Sequence, residues 1–185
     1  MRAPNEAISI EPLFNKTLHK GLNAIVLGST FVFSVAVFAE SQVLSIISNN
    51  TNYLPGESFK ASVLYETTDN NVATGIGIRV HYDSSQLSVD AITNVLYRSN
   101  VGTQIKQDTA DYDDDPLTDK FVTAGWADTS RQWPEYPDQQ VNLLDLMIST
   151  ADEFTGSQIN VTLSSGDVSY SGLSGSLKLT STSGD

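Results

Sequence analysis

The stretch that decides the fold is Gly75-Ile76-Gly77-Ile78-Arg79-Val80-His81-Tyr82-Asp83-Ser84-Ser85-Gln86-Leu87. Ile76, Ile78, Val80 and Tyr82 share one face of an extended chain, and Gly75, Gly77, Arg79 and His81 share the other. Side chains of a strand alternate between faces, so this is a strand with one face turned to a core. Asp83-Ser84-Ser85 then supplies a turn, because short polar side chains hydrogen-bond their own backbone, and Leu87-Ser88-Val89 resumes extended chain. On the polar face, His81 reads as an ordinary exposed side chain.

The same period recurs on both sides. Upstream, Val43, Ser45 and Ile47 alternate with Leu44 and Ile46, and Phe59, Ala61, Val63 and Tyr65 alternate with Lys60, Ser62 and Leu64. Asn49-Asn50 and Pro55-Gly56 provide the turns between them. Downstream come Phe121 to Ala127, then Ile159, Val161 and Leu163, then Leu177 and Leu179. Val141 to Ile148 is compatible with a strand or a short helix, because Leu143, Leu144, Leu146, Met147 and Ile148 satisfy both patterns. The sum is an all-β domain of about eight or nine short strands, the pattern of a jelly-roll β-sandwich. No glycine-rich phosphate loop follows a strand, which argues against α/β nucleotide folds.

The domain is preceded by a leader. Lys16, His19 and Lys20 stand before an apolar run from Gly21 to Phe38, and Val37-Phe38-Ala39 has the small residues that a signal peptidase needs. Residues 1–39 therefore read as a signal peptide for export. The run is also about long enough to span a bilayer, so an uncleaved signal anchor is the alternative, and the only membrane contact expected. Residues 40–180 form the domain, and the Ser, Thr, Gly and Asp residues at 181–185 read as a linker or frayed end.

Composition narrows the chemistry. The chain has 185 residues, 39% of them hydrophobic, which suffices for one domain with its own core. Without Arg2, Lys16, Lys20, Glu6 and Glu11 of the leader it carries 7 basic and 20 acidic residues, a net charge of −13. Such a surface repels phosphate backbones, so no nucleic-acid partner is expected. There is no cysteine, which excludes thiol chemistry and disulfide staples. His81 is the domain's one histidine, which excludes sites built from several.

Several stretches together resemble a cohesin-like module, from the β-sandwich superfamily that also holds cellulose-binding carbohydrate modules. They are Tyr53-Leu54-Pro55-Gly56-Glu57, the strand Gly75 to Leu87 quoted above, Ala124-Gly125-Trp126-Ala127-Asp128, Leu143 to Ser149 and the turn Ser164-Ser165-Gly166-Asp167. The likeness runs over roughly residues 41–180. Two features depart from typical cohesins: an acidic insert at 108–119 and the loop Trp133-Pro134-Glu135-Tyr136-Pro137. Both are closer to cohesin-related modules of large secreted bacterial proteins. The resemblance implies a non-catalytic module, secreted or at the cell surface, with a dockerin-like protein partner or a polysaccharide as ligand.

The acidic insert is the most informative local feature. Asp111, Asp113, Asp115 and Asp119 occupy the first, third, fifth and ninth places of a calcium-binding loop, and Leu117 can offer a backbone carbonyl at the seventh. The sixth place, which should be glycine, is Pro116, and the twelfth, which should be glutamate, is Val122. These two places, with the flanking strand pattern, argue against a helix-loop-helix site. A loop between strands remains, with Asp108, Asp128 or a backbone group completing the shell of a structural calcium ion. The bland alternative is a solvated acidic loop.

Trp126, in a strand between Gly125 and Ala127, is expected in the core. Trp133 and Tyr136 lie in a loop stiffened by Pro134 and Pro137. They either present flat rings to a sugar or fold back to close one end of the sandwich. Nothing reads as catalytic: Asp83 lies near His81, but no serine stands in a nucleophile elbow, and the carboxylates crowd into one loop.

Overall fold

A computed structural model describes residues 41–135, 139–166 and 170–182, all within the compact unit Val37–Asp185. The leader at 1–39 and Tyr136 lie outside the described residues.

The described residues form eleven strands: β1 (Ser41–Ser48), β2 (Asn52–Tyr53), β3 (Ser58–Thr67), β4 (Gly77–Tyr82), β5 (Leu87–Thr93) and β6 (Asn100–Gln107) come first. β7 (Lys120–Trp126), β8 (Val141–Thr150), β9 (Gly156–Ser165), β10 (Ser171–Leu173) and β11 (Gly175–Ser181) complete the set. They form two sheets, a five-stranded one in the order β10-β1-β3-β8-β5 and a six-stranded one in the order β2-β11-β9-β4-β7-β6. This is the expected sandwich, with more strands than periodicity alone revealed. β2 and β10 are too short to show a period, and β6 is an edge strand exposed along most of its length. The ambiguous segment is strand β8, because it sits between β3 and β5 and its backbone is claimed from both sides.

Alternation accounts for the core. Leu44 and Ile46 of β1, Ala61, Val63 and Tyr65 of β3, and Leu144, Leu146 and Ile148 of β8 point inward from one sheet. Ile78 and Val80 of β4, Val122, Ala124 and Trp126 of β7, Ile159 and Val161 of β9, and Leu177 and Leu179 of β11 meet them from the other. Fully burying one large side chain of this kind contributes roughly 1.5–3 kcal/mol. With no disulfide, this packing is what holds the described domain together. Gly75, with φ of +112°, lets the chain enter β4, since a Cβ there would lie 2.2 Å from the Trp126 carbonyl oxygen.

Candidate functional site

The acidic insert joins β6 to β7 and folds back over the outer face of the six-stranded sheet. Its base is closed by the Asp108 amide donating to the Asp119 carbonyl at 2.8 Å. Tyr112 lies over the Arg79 guanidinium, 3.9 Å from ring centroid to Cζ, and meets Phe121 edge-on. A cation on an aromatic face is an attractive contact, and here it fastens the loop to β4.

Under this flap lies His81, which is fully buried and not exposed as its place on a strand's polar face suggested. Its Nδ1 donates to Asp108 Oδ2 at 2.7 Å and stands 3.6 Å from Asp113 Oδ1, while Nε2 is 2.9 Å from Thr162 Oγ1. The reason for the difference is tertiary: the period of a strand says which face a residue is on, not whether a distant loop covers that face.

Of the four carboxylates that the calcium spacing grouped, the loop brings Asp113 and Asp115 to one side-chain amide and leaves Asp111 and Asp119 elsewhere. Asp108 and Asp113 converge on His81. Asp113 also accepts from Thr118 Oγ1 at 2.9 Å and from Asn160 Nδ2 at 2.8 Å, and the same Asn160 nitrogen is 3.4 Å from Asp115 Oδ2. Asp119 turns to β4–β5, accepting from the Ser84 amide and hydroxyl, each at 2.7 Å. Burial pushes the Asp119 carboxyl up, but the Ser84 donors and the Lys120 charge hold it below the usual carboxylate range. Burial raises the Tyr82 phenol, and the negative charge of Asp119 adds to it. Asp111 is exposed, with φ of 49°. Asp128 lies beyond β7, where Ser130 hydroxyl and amide donors lower its carboxyl, so it has no part in the loop.

Trp133 is not a sugar platform. Its ring is 0% exposed and packs against Tyr65 at 4.8 Å and Trp126 at 6.2 Å, so neither face is free to stack on a ligand. Backbone hydrogen bonds to Ala73 at 2.6 and 3.3 Å fix the segment in place. Trp126 is in the core as expected, its indole N–H donating to the Leu96 carbonyl at 2.8 Å.

Beyond the acidic flap, the same sheet face is open. Gly77 and Gly125 stand opposite each other in register, with Arg79 opposite Thr123. Val101, 72% exposed, lies over Gly125, and the hydroxyls of Ser164 and Ser165 lie over Gly77. Thr103, Gln104 and Thr123 line the rest. The result is a flat shelf with an apolar side chain standing on it. Sequence reading passed over this shelf because Val101 and Gly102 sit in the strand it did not find.

Comparison with known proteins gives a likeness of fold. No family model matches the chain, and no curated protein does. Among solved structures, a type II cohesin domain from the cellulosome of Acetivibrio cellulolyticus has a TM-score of 0.50 at 13% identity, covering 75% of this chain and 95% of that one. CaCohA2 from Clostridium acetobutylicum has a TM-score of 0.49 at 16% identity, covering 77% and 92%. The sixth cohesin of scaffoldin B from Acetivibrio cellulolyticus, solved with a Cel5 dockerin, has a TM-score of 0.48 at 15% identity, covering 77% and 99%. The domain has a cohesin-like fold.

Proposed function

We propose that the domain is a non-catalytic extracellular binding module that holds a dockerin-like protein on the open half of its six-stranded sheet, with the acidic loop steadied by calcium. The observation that carries this reading is the shelf around Val101. A flat face floored by glycine and lined by short hydroxyl side chains suits another protein's surface, and a lone exposed aliphatic side chain supplies an anchor. Chemistry on a substrate has less support. The domain's one imidazole and two nearest carboxylates are sealed under the flap, with side chains 0–1% exposed. The polysaccharide reading has lost Trp133, one of the two rings on which it rested, and the other, Tyr136, lies outside the described residues.

The leader's export pattern supports a place outside the cell, where millimolar calcium is met. Oxygens suited to calcium are those of Asp113 and Asp115, which both face the Asn160 side-chain amide.

Titration calorimetry against a panel of purified dockerin domains tests the binding claim. Complex formation that Val101→Asp weakens by about 2 kcal/mol, roughly 30-fold, is the expected result. The melting temperature of that variant should be unchanged, because the side chain is exposed. Binding to arrayed polysaccharides with no binding to any dockerin would overturn the reading. Calcium added to chelator-treated protein should raise its melting temperature, and no rise at millimolar calcium removes the ion from the proposal.

A further inference from the structure

The buried group under the flap has an arrangement that the binding module does not require. Three polar atoms face one another there: His81 Nδ1, a carboxylate oxygen of Asp108 and one of Asp113, all within 4.8 Å. Each of the three side chains has its remaining polar atom tied to an outer partner. His81 Nε2 meets Thr162 Oγ1 at 2.9 Å, Asp108 Oδ1 accepts from the Tyr112 amide at 3.3 Å, and Asp113 Oδ2 accepts from Asn160 at 2.8 Å. Metal-binding histidines and carboxylates are held in this way, with the atom that does not ligate fixed by a second group.

Charge gives an independent argument. The three side chains are 0–1% exposed, and the only ion-pair partner of either carboxylate among the described residues is the imidazole. The nearby Arg79 is turned to the rings of Tyr112 and Phe121 instead. Two buried carboxylates thus share one imidazole as their only ion-pair partner, and a divalent cation between them would supply a second.

We propose that His81, Asp108 and Asp113 bind a divalent first-row transition ion of the zinc class, which pins the flap to strands β4 and β9. The imidazole decides the class. Calcium and magnesium take hard oxygen ligands, whereas nitrogen with carboxylate oxygen suits zinc and its neighbours. Metal–ligand bonds of about 2.0–2.1 Å in a tetrahedral shell put ligand atoms roughly 3.3 Å apart. The observed separations of 2.7 and 3.6 Å from Nδ1 bracket that value. With the ion on Nδ1, the ring proton sits on Nε2 and is donated to Thr162.

The test uses the purified, chelator-treated chain with Co2+ as a spectroscopic probe and Zn2+ as competitor. One equivalent of Co2+ should bind with a visible absorption band and be displaced by Zn2+. His81→Gln and Asp113→Asn should each weaken uptake by at least about tenfold. Asp114→Asn, at an exposed loop position, should not. NMR of the imidazole nitrogens needs no variant and covers the case in which a substitution unfolds the domain: added Zn2+ should shift Nδ1 of His81. Absence of one-to-one uptake, or uptake that survives both ligand substitutions in folded protein, overturns the site. Stabilisation by calcium with no binding of Co2+ or Zn2+ also overturns it and leaves the calcium reading standing.

Discussion

Trp133 offers the sharpest check on how this end of the sandwich is built. Replacing it with alanine removes an indole that is 0% exposed and packed against Tyr65 and Trp126. An aromatic side chain buries roughly 150–250 Å2, worth about 4–6 kcal/mol at ~25 cal/mol per Å2. Measured losses for such truncations are about 3–5 kcal/mol. One feature lowers the wild-type value: Trp133 Nε1 is buried without a hydrogen-bond partner, which costs about 1–3 kcal/mol. Trp133→Phe removes that orphaned donor while keeping a six-membered ring between its neighbours. It should therefore fall within about 1 kcal/mol of wild type, while Trp133→Ala loses about 3–5 kcal/mol. Urea unfolding followed by far-ultraviolet circular dichroism reads both, and a constant m-value would show that the unfolded reference is shared. In thermal melts the alanine variant should drop by roughly 6–20 °C. A Trp133→Ala protein within about 1 kcal/mol of wild type would refute the packing argument, since no buried indole is so cheaply removed.

Two further outcomes follow from single positions. Asp145, on the outer face of the five-stranded sheet, is pushed up by burial but held below its ordinary value of 3.8 by donors from Ser62, Asn142, Lys60 and Asn94. A carboxyl lowered on folding contributes stability that is full above the unfolded value and lost as pH falls through the folded one. Wild type should thus lose urea stability more steeply than Asp145→Asn as pH drops below 3.8, and equal slopes would count against this hub. Gly75→Ala should destabilise by more than about 1–3 kcal/mol, because it combines a positive φ with a Cβ placed 2.2 Å from a carbonyl oxygen. A thermal melt matching wild type would show that the β4 entry can relax.

What sequence could and could not reveal divides along the reach of the interactions. Val80 and Val161 sit on strands whose alternation is written in ten residues or fewer, and both are buried where periodicity placed them. Trp126 followed the same rule. β6 escaped because an edge strand with little burial leaves no apolar face to detect. Trp133 carried two opposed readings because proline-bounded loops can face either way, and only its backbone pairing with Ala73, sixty positions distant in the chain, turns the ring inward.

The acidic insert shows the same limit at the candidate site, and there it bears on function. Spacing along the loop groups Asp111, Asp113, Asp115 and Asp119, because a loop wrapping one ion needs ligands at alternate places. The fold instead brings Asp108 and Asp113 to His81 of β4, beneath a loop whose Tyr112 ring rests on Arg79. Their third member comes from a strand 27 residues before Asp108, and no local pattern contains it. On the site proposed above, the ion's ligand set would be oxygen with nitrogen, where spacing alone suggested all oxygen. If that ion holds the flap down, it also sets how much of the six-stranded face stays covered and how much is left for a partner at Val101. Metal removal should then alter dockerin affinity without any contact between the ion and the partner.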